Sequence, residues 1–120
     1  MSENKPVIII PAFSDRIDEI NKFFNGKEHH TFIYTDVFYE KGLERLEEVM
    51  EEQKPKGIVL WGKFRQNKVL EEIERKTREK RREFGIHLIL YDMRRGYEQN
   101  IRGYEFAYSP EGILELLEMK

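Results

Sequence analysis

The sequence predicts an α/β fold, a three-layer α/β/α sandwich around a five-stranded parallel sheet. Three observations support it. Five short apolar runs alternate with stretches of helical periodicity, and such alternation implies parallel strands joined by helical crossovers. The runs Val7 to Ile10 and Ile58 to Trp61 contain no polar residue, as expected of strands covered on both faces. The length, 120 residues, fits one domain able to bury a core without disulfide or metal staples.

Each element has a local reason. Val7 to Ile10 is wholly aliphatic and mostly β-branched, which suits a buried strand. Ser14-Asp15 supplies N-cap chemistry for a helix bearing Ile17, Ile20, Phe23 and Phe24 at helical spacing, and Asn25-Gly26 ends it. The second strand is expected over Thr31 to Thr35. Asp36 to Gly42 is a loop or first helical turn, leading to a helix whose Leu43, Leu46, Val49 and Met50 form an apolar stripe with glutamates opposite. Lys54-Pro55-Lys56-Gly57 breaks that helix, and Ile58 to Trp61 is the third strand. After the polar loop Gly62 to Asn67, a long helix to about Phe84 turns Val69, Leu70, Ile73, Thr77 and Phe84 inward, and Gly85 stops it. Ile86 to Tyr91 is the fourth strand, Asp92 to Gly103 is irregular with at most a short helix, and Tyr104 to Tyr108 is the fifth strand. Ser109 as N-cap and Pro110 at the first helical position open a last helix carrying Ile113, Leu114, Leu116 and Leu117. The first strand is among the most apolar and therefore central, which gives the flavodoxin-like order 2-1-3-4-5. Residues 1–120 form one such domain, with residues 1–5 as a flexible lead.

Composition narrows the function. Charged residues make up 37% of the chain, but the 39% that are hydrophobic come in clean blocks, so the chain folds. A net charge of -2 lacks the basic excess of a dedicated nucleic-acid binder and weighs against that partner. The cations Arg75, Lys76, Arg78, Lys80, Arg81 and Arg82 are interleaved with Glu74, Glu79 and Glu83, and read as a solvated helix face that complements the helix dipole. The absence of cysteine excludes disulfides, thiol catalysis and zinc-thiolate sites. The start, MSENKPVIII, has too short an apolar run for a signal peptide, and no run is long enough to cross a membrane, so a cytoplasmic location without a membrane partner is expected. Abundant Lys, Glu and Arg is compatible with a thermophilic source. Gly62-Lys63 lacks the spacing of a phosphate-binding loop, and no cofactor is predicted.

In a sheet of this order, ligands bind beyond the carboxyl ends of the strands. Ser14, Lys63, Arg65, Asn67, Arg94 and Arg95 then become candidates for a phosphate or another anionic small molecule, since arginine forks and lysine suit both. Asp15, Asp36 and Asp92 follow three different strands and are the alternative to having no metal site, a set that can hold Mg²⁺ only if it converges. Asp15 and Asp36 serve equally well as helix N-caps. Trp61, Phe64, Tyr97 and Tyr104 sit at or beside the same edge. With Arg94 and Arg95 they make the aromatic-arginine mix typical of protein interfaces.

The stretch GLERLEEVMEEQKPKGIVLWG resembles the run in bacterial response-regulator receiver domains where a helix leads to Lys-Pro-Asp, four apolar residues and the phosphoacceptor aspartate. FAYSPEGILELLE is similar to the receiver end, where a strand leads to Lys-Pro and the last helix. The departures fall at the chemistry. Trp61 occupies the phosphoacceptor place, Pro11-Ala12 stands where receivers carry an acidic metal-binding pair, Ser109 replaces the lysine, and Tyr91 lies near the Ser/Thr switch. The resemblance therefore implies a pseudo-receiver with no catalytic residue. It also makes Ser109-Pro110 a candidate cis bond, as at the equivalent family site.

Two functions follow. The first is a non-catalytic receiver-like domain for protein interaction or regulation, binding a protein partner or itself. The alternative is a phosphate- or nucleotide-binding domain, or a Mg²⁺-dependent phosphoesterase, using the carboxyl edge of the sheet.

Overall fold

A computed structural model describes residues 5–27, 30–38, 41–64, 67–91 and 103–118. Residues 1–4 of the predicted lead 1–5 and residues 92–102 of the irregular segment 92–103 lie outside them.

The aliphatic runs pair as expected. Strand β1 (Val7–Pro11) lies between β2 (Thr31–Ile33) and β3 (Gly57–Trp61), while β4 (His87–Tyr91) and β5 (Glu105–Ala107) follow. All pairs are parallel and the order is β2-β1-β3-β4-β5. Because successive side chains alternate across a sheet, register alone sorts the strands into two faces. Val7 stands beside Gly57 and Ile8 beside Ile58. Ile8, Ile10, Ile58, Leu60, Leu88 and Leu90 pack under α2 (Gly42–Gln53) and α3 (Asn67–Phe84). Val7, Ile9, Val59, Trp61, Ile89 and Tyr91 pack under α1 (Ile17–Phe24) and α4 (Pro110–Glu118). The result is the three-layer α/β/α sandwich of the flavodoxin-like type.

Helix signals were mostly obeyed. The stripe on α2 buries Leu46 and Met50 fully, with Leu43 and Val49 half-covered. On α3, Leu70, Ile73 and Thr77 are fully buried. The Thr77 hydroxyl donates to the Ile73 carbonyl at 2.6 Å and accepts from Arg81 Nε at 2.9 Å, so its polar atom is satisfied inside the layer. Ser109 caps α4 through Oγ, which accepts from the Gly112 N–H at 3.1 Å. Gly57 is a close-approach position: a Cβ there would stand 2.5 Å from a methyl of Leu117, so glycine lets α4 seat on β3.

Some expectations need correction. Ser14 and Asp15 do not cap α1. Ser14–Arg16 forms a 3-10 turn, and α1 starts at Ile17 with no side-chain cap bond. Strand β2 stops at Ile33. The Tyr34 N–H still donates to the Ile9 carbonyl at 2.8 Å, after which Asp36–Phe38 turns away into another 3-10 turn. Strand β5 spans only Glu105–Ala107. The Ser109-Pro110 bond is trans.

Candidate functional site

The carboxyl edge is built by the strand ends themselves. The Ala12 N–H donates to the Trp61 carbonyl and the Gly62 N–H to the Tyr91 carbonyl, both at 2.9 Å, so the ladder runs one step past each strand. Gly62 then turns with φ +112°, a region costly for any residue with a Cβ. A Cβ there would lie 3.2 Å from the Ala12 Cβ and 3.8 Å from Arg16 Nε. Glycine thus lets the Arg16 side chain lie across the end of β3.

Arg16 starts a short relay into the core. Its Nη1 donates to Glu19 Oε1 at 3.3 Å, and Glu19 Oε2 accepts from Trp61 Nε1 at 2.6 Å. The indole itself is fully buried. It meets Tyr91 edge-on at 4.7 Å between centroids, with Phe23 at 6.0 Å and Phe24 at 6.3 Å. These are favourable edge and tilted geometries. A residue of this size buries on the order of 5 kcal/mol of apolar transfer free energy. Its one donor is satisfied by a carboxylate at the surface.

This corrects the expectation that Trp61 offers an interface. It faces α1, not solvent, because position 61 falls in the same alternation class as Val59 and Ile9. Phe64 and Tyr104 are likewise buried, at 4% and 7% exposure, on the α2/α3 side. The Tyr104 hydroxyl donates to the Leu70 carbonyl at 2.6 Å, a tether to α3. Just before it, Gly103 lies so close to Glu74 that a Cβ would stand 2.7 Å from Glu74 Cγ.

Among the anion candidates, Ser14 and Lys63 are exposed at the ends of the neighbouring strands β1 and β3. Arg65, Arg94 and Arg95 lie outside the described residues, as do Tyr97 and the side chain of Asn67. Of the aspartates, Asp15 is exposed, Asp36 pairs with Arg45 at 3.7 Å, and Asp92 lies outside the described residues. Among the described residues no group of three or more His, Cys, Asp or Glu is arranged to hold a metal ion. Large apolar side chains exposed among the described residues are Phe13, Phe32 and Tyr108, and two of them, Phe13 and Tyr108, follow strand ends on this edge.

Sequence reasoning missed Glu19 as the acceptor for the indole. The signal was available: Arg16 and Glu19 are one turn apart, and a buried tryptophan needs a partner for its N–H. Tyr34 was also more than packing. Its hydroxyl donates to the Gly42 carbonyl at 2.6 Å, and burial, followed by the Asp36 charge, pushes the phenol above its usual range, so it stays protonated and donating.

No helix among the described residues is long and apolar enough to cross a membrane. The chain matches no model of a known protein family and no curated protein.

Proposed function

We propose that the chain is a non-catalytic receiver-like domain that works by binding a protein partner at the carboxyl edge of its sheet. The observation that carries the reading is the environment of Trp61. Where receivers carry a phosphoacceptor aspartate, this chain has an indole with no exposure, bonded to Glu19. Phosphotransfer needs a carboxylate nucleophile beside bound Mg²⁺. An indole can supply neither. Phe13 and Tyr108, exposed after strand ends on the same edge that carries Lys63 and Arg16, are the kind of aromatic and basic material interfaces use. Two measurements test the reading. Incubation with acetyl phosphate and Mg²⁺ should leave no phosphoryl adduct by mass spectrometry, and an adduct on any carboxylate would overturn it. Affinity capture should recover a specific partner that the pair Phe13→Glu and Lys63→Glu no longer retains. A chain that captures nothing at all counts against the reading.

A second reading, anion binding, is favoured by the exposure of both Ser14 and Lys63 at neighbouring strand ends. It expects inorganic phosphate or a nucleotide to raise the melting temperature by mass action. The absence of any shift would sink it.

A further inference from the structure

A second surface runs along β2 and reaches the carboxyl edge only at Thr35 and Asp36. Strand β2 is an edge strand, hydrogen-bonded only to β1 among the described residues. The Val7 N–H donates to the His30 carbonyl and the Tyr34 N–H to the Ile9 carbonyl. Residues of one parity therefore turn their backbone toward β1, and Thr31 and Ile33 turn theirs outward. Such an edge is a template for another strand. Natural edges are blunted by lysine, proline, a bulge or very short length; Thr31–Ile33 carries no lysine, proline or bulge, and its three residues limit an added strand to a short segment.

The edge is also the wall of a groove of about 350 Å³, running between residues 32–36 and a face of α2. On the helix side stand Arg45, Glu48, Val49 and Glu52, whose spacing makes one stripe. Phe32, 37% exposed, and the half-buried Val49 supply the apolar part. Asp36 and Arg45 offset each other at 3.7 Å, so Glu48 and Glu52 make the groove acidic.

From this juxtaposition we infer that the groove takes an extended, basic segment of a partner protein as an added sixth strand beside β2. The chemistry fixes the pattern of that segment. Glu48 and Glu52 are four helical residues apart, about 6 Å along the axis. Side chains on one face of a strand repeat every two residues, about 6.7 Å. Lysine or arginine at alternate positions would thus meet both carboxylates, while the outward backbone groups of β2 bond the segment's own and the aliphatic stem of a lysine on that same face covers Phe32. A second copy of this chain fits poorly. Edge-to-edge pairing about a two-fold axis sets α2 beside its own copy and brings the same acids together. The inference rests on the reading that the domain binds protein, but it uses a different surface, so the two fail separately.

The test uses the whole chain and a fluorescent synthetic peptide of alternating valine and lysine, read by anisotropy. The lysine peptide should bind, and a valine-glutamate peptide should not. Binding should weaken at least tenfold with the pair Glu48→Lys and Glu52→Lys, and should fall with added salt. A lysine peptide N-methylated at alternate residues keeps its charge and loses one hydrogen-bonding edge, and it too should bind at least tenfold more weakly. This arm needs no protein variant, so it stands even if a variant fails to fold. No binding of the lysine peptide would overturn the proposal, and so would equal binding of the methylated one, which would mark mere charge attraction. Concentration-dependent dimers abolished by Ile33→Pro would also overturn it, assigning the edge to a second copy. The pair Phe13→Glu and Lys63→Glu should leave peptide binding unchanged, which separates this groove from the carboxyl edge.

Discussion

The two faces of the sheet solve the same problem by different means. The α1/α4 face gathers its aromatic rings at one end, around Trp61, and satisfies the indole with a surface carboxylate, Glu19. The α2/α3 face is mainly aliphatic over the sheet, with tyrosines at its margins whose hydroxyls donate to backbone carbonyls, Tyr34 to Gly42 and Tyr104 to Leu70. A charged acceptor half in water is adaptable and open to salt, whereas a carbonyl in a helix is fixed and screened. The aromatic face can therefore tolerate movement at its rim. The aliphatic face ties loop to helix rigidly, and α2 is the helix that lines the β2 groove.

Substitutions can break or sharpen that contrast. The largest effect should come from Trp61→Ala, which empties the centre of the aromatic cluster and should cost about 3–5 kcal/mol in chemical denaturation. A loss under about 1 kcal/mol would show that the rings are not the core of that face. Next is Gly42→Ala, whose Cβ would fall onto the Asp36 backbone carbonyl at the start of α2. About 1–3 kcal/mol is expected, with the circular dichroism of the helices retained.

Smaller changes compare the two polar devices directly. Tyr104→Phe should cost about 1 kcal/mol, since it removes the hydroxyl's bond to the Leu70 carbonyl, and the cost should not depend on salt. Glu19→Ala should cost a similar amount, about 1 kcal/mol, at low salt and visibly less at high salt. Equal salt behaviour in the two variants would erase the distinction.

The smallest effect is a pH dependence. Hydrogen bonding from Arg78, and then from Arg81, holds the Glu74 carboxyl below the usual carboxylate range, against the opposing effect of burial. A depressed folded-state value means that the unfolded chain takes up the proton first. The stability from this group is therefore complete above about pH 5 and fades as pH drops below about 4.3. Glu74→Gln should flatten the acid limb of the denaturation midpoint against pH, and an unchanged limb would show that the Arg78–Glu74–Arg81 cluster contributes nothing.

The strands were legible because unbroken apolar runs such as VIII and IVLW have few other uses in a chain this charged. Helices α2, α3 and α4 were legible from the 3.6-residue period and from glycine or proline at their ends. The start of α1 was misread because Ser14-Asp15 is as good a turn as it is a cap, and Ser14–Arg16 takes the turn. The candidate site was the weaker reading. Position along the chain located the edge loops, but it could not say which way a side chain points. Trp61, Phe64 and Tyr104 were placed at the edge by sequence and in the core by packing.

By itself the sequence determined the element order, the parallel pairing and the interior place of β1, since local periodicity and crossover chemistry are written residue by residue. It also determined what the end of β3 cannot do, because an indole has no acid to offer. Tertiary structure alone decided that this indole bonds Glu19, that two tyrosine hydroxyls pin loops to helices, and that β2 and α2 enclose an acidic groove. The hydrogen bonds among them join residues from 8 to 42 positions apart, and only the packing of helices and loops on the sheet brings those residues within reach.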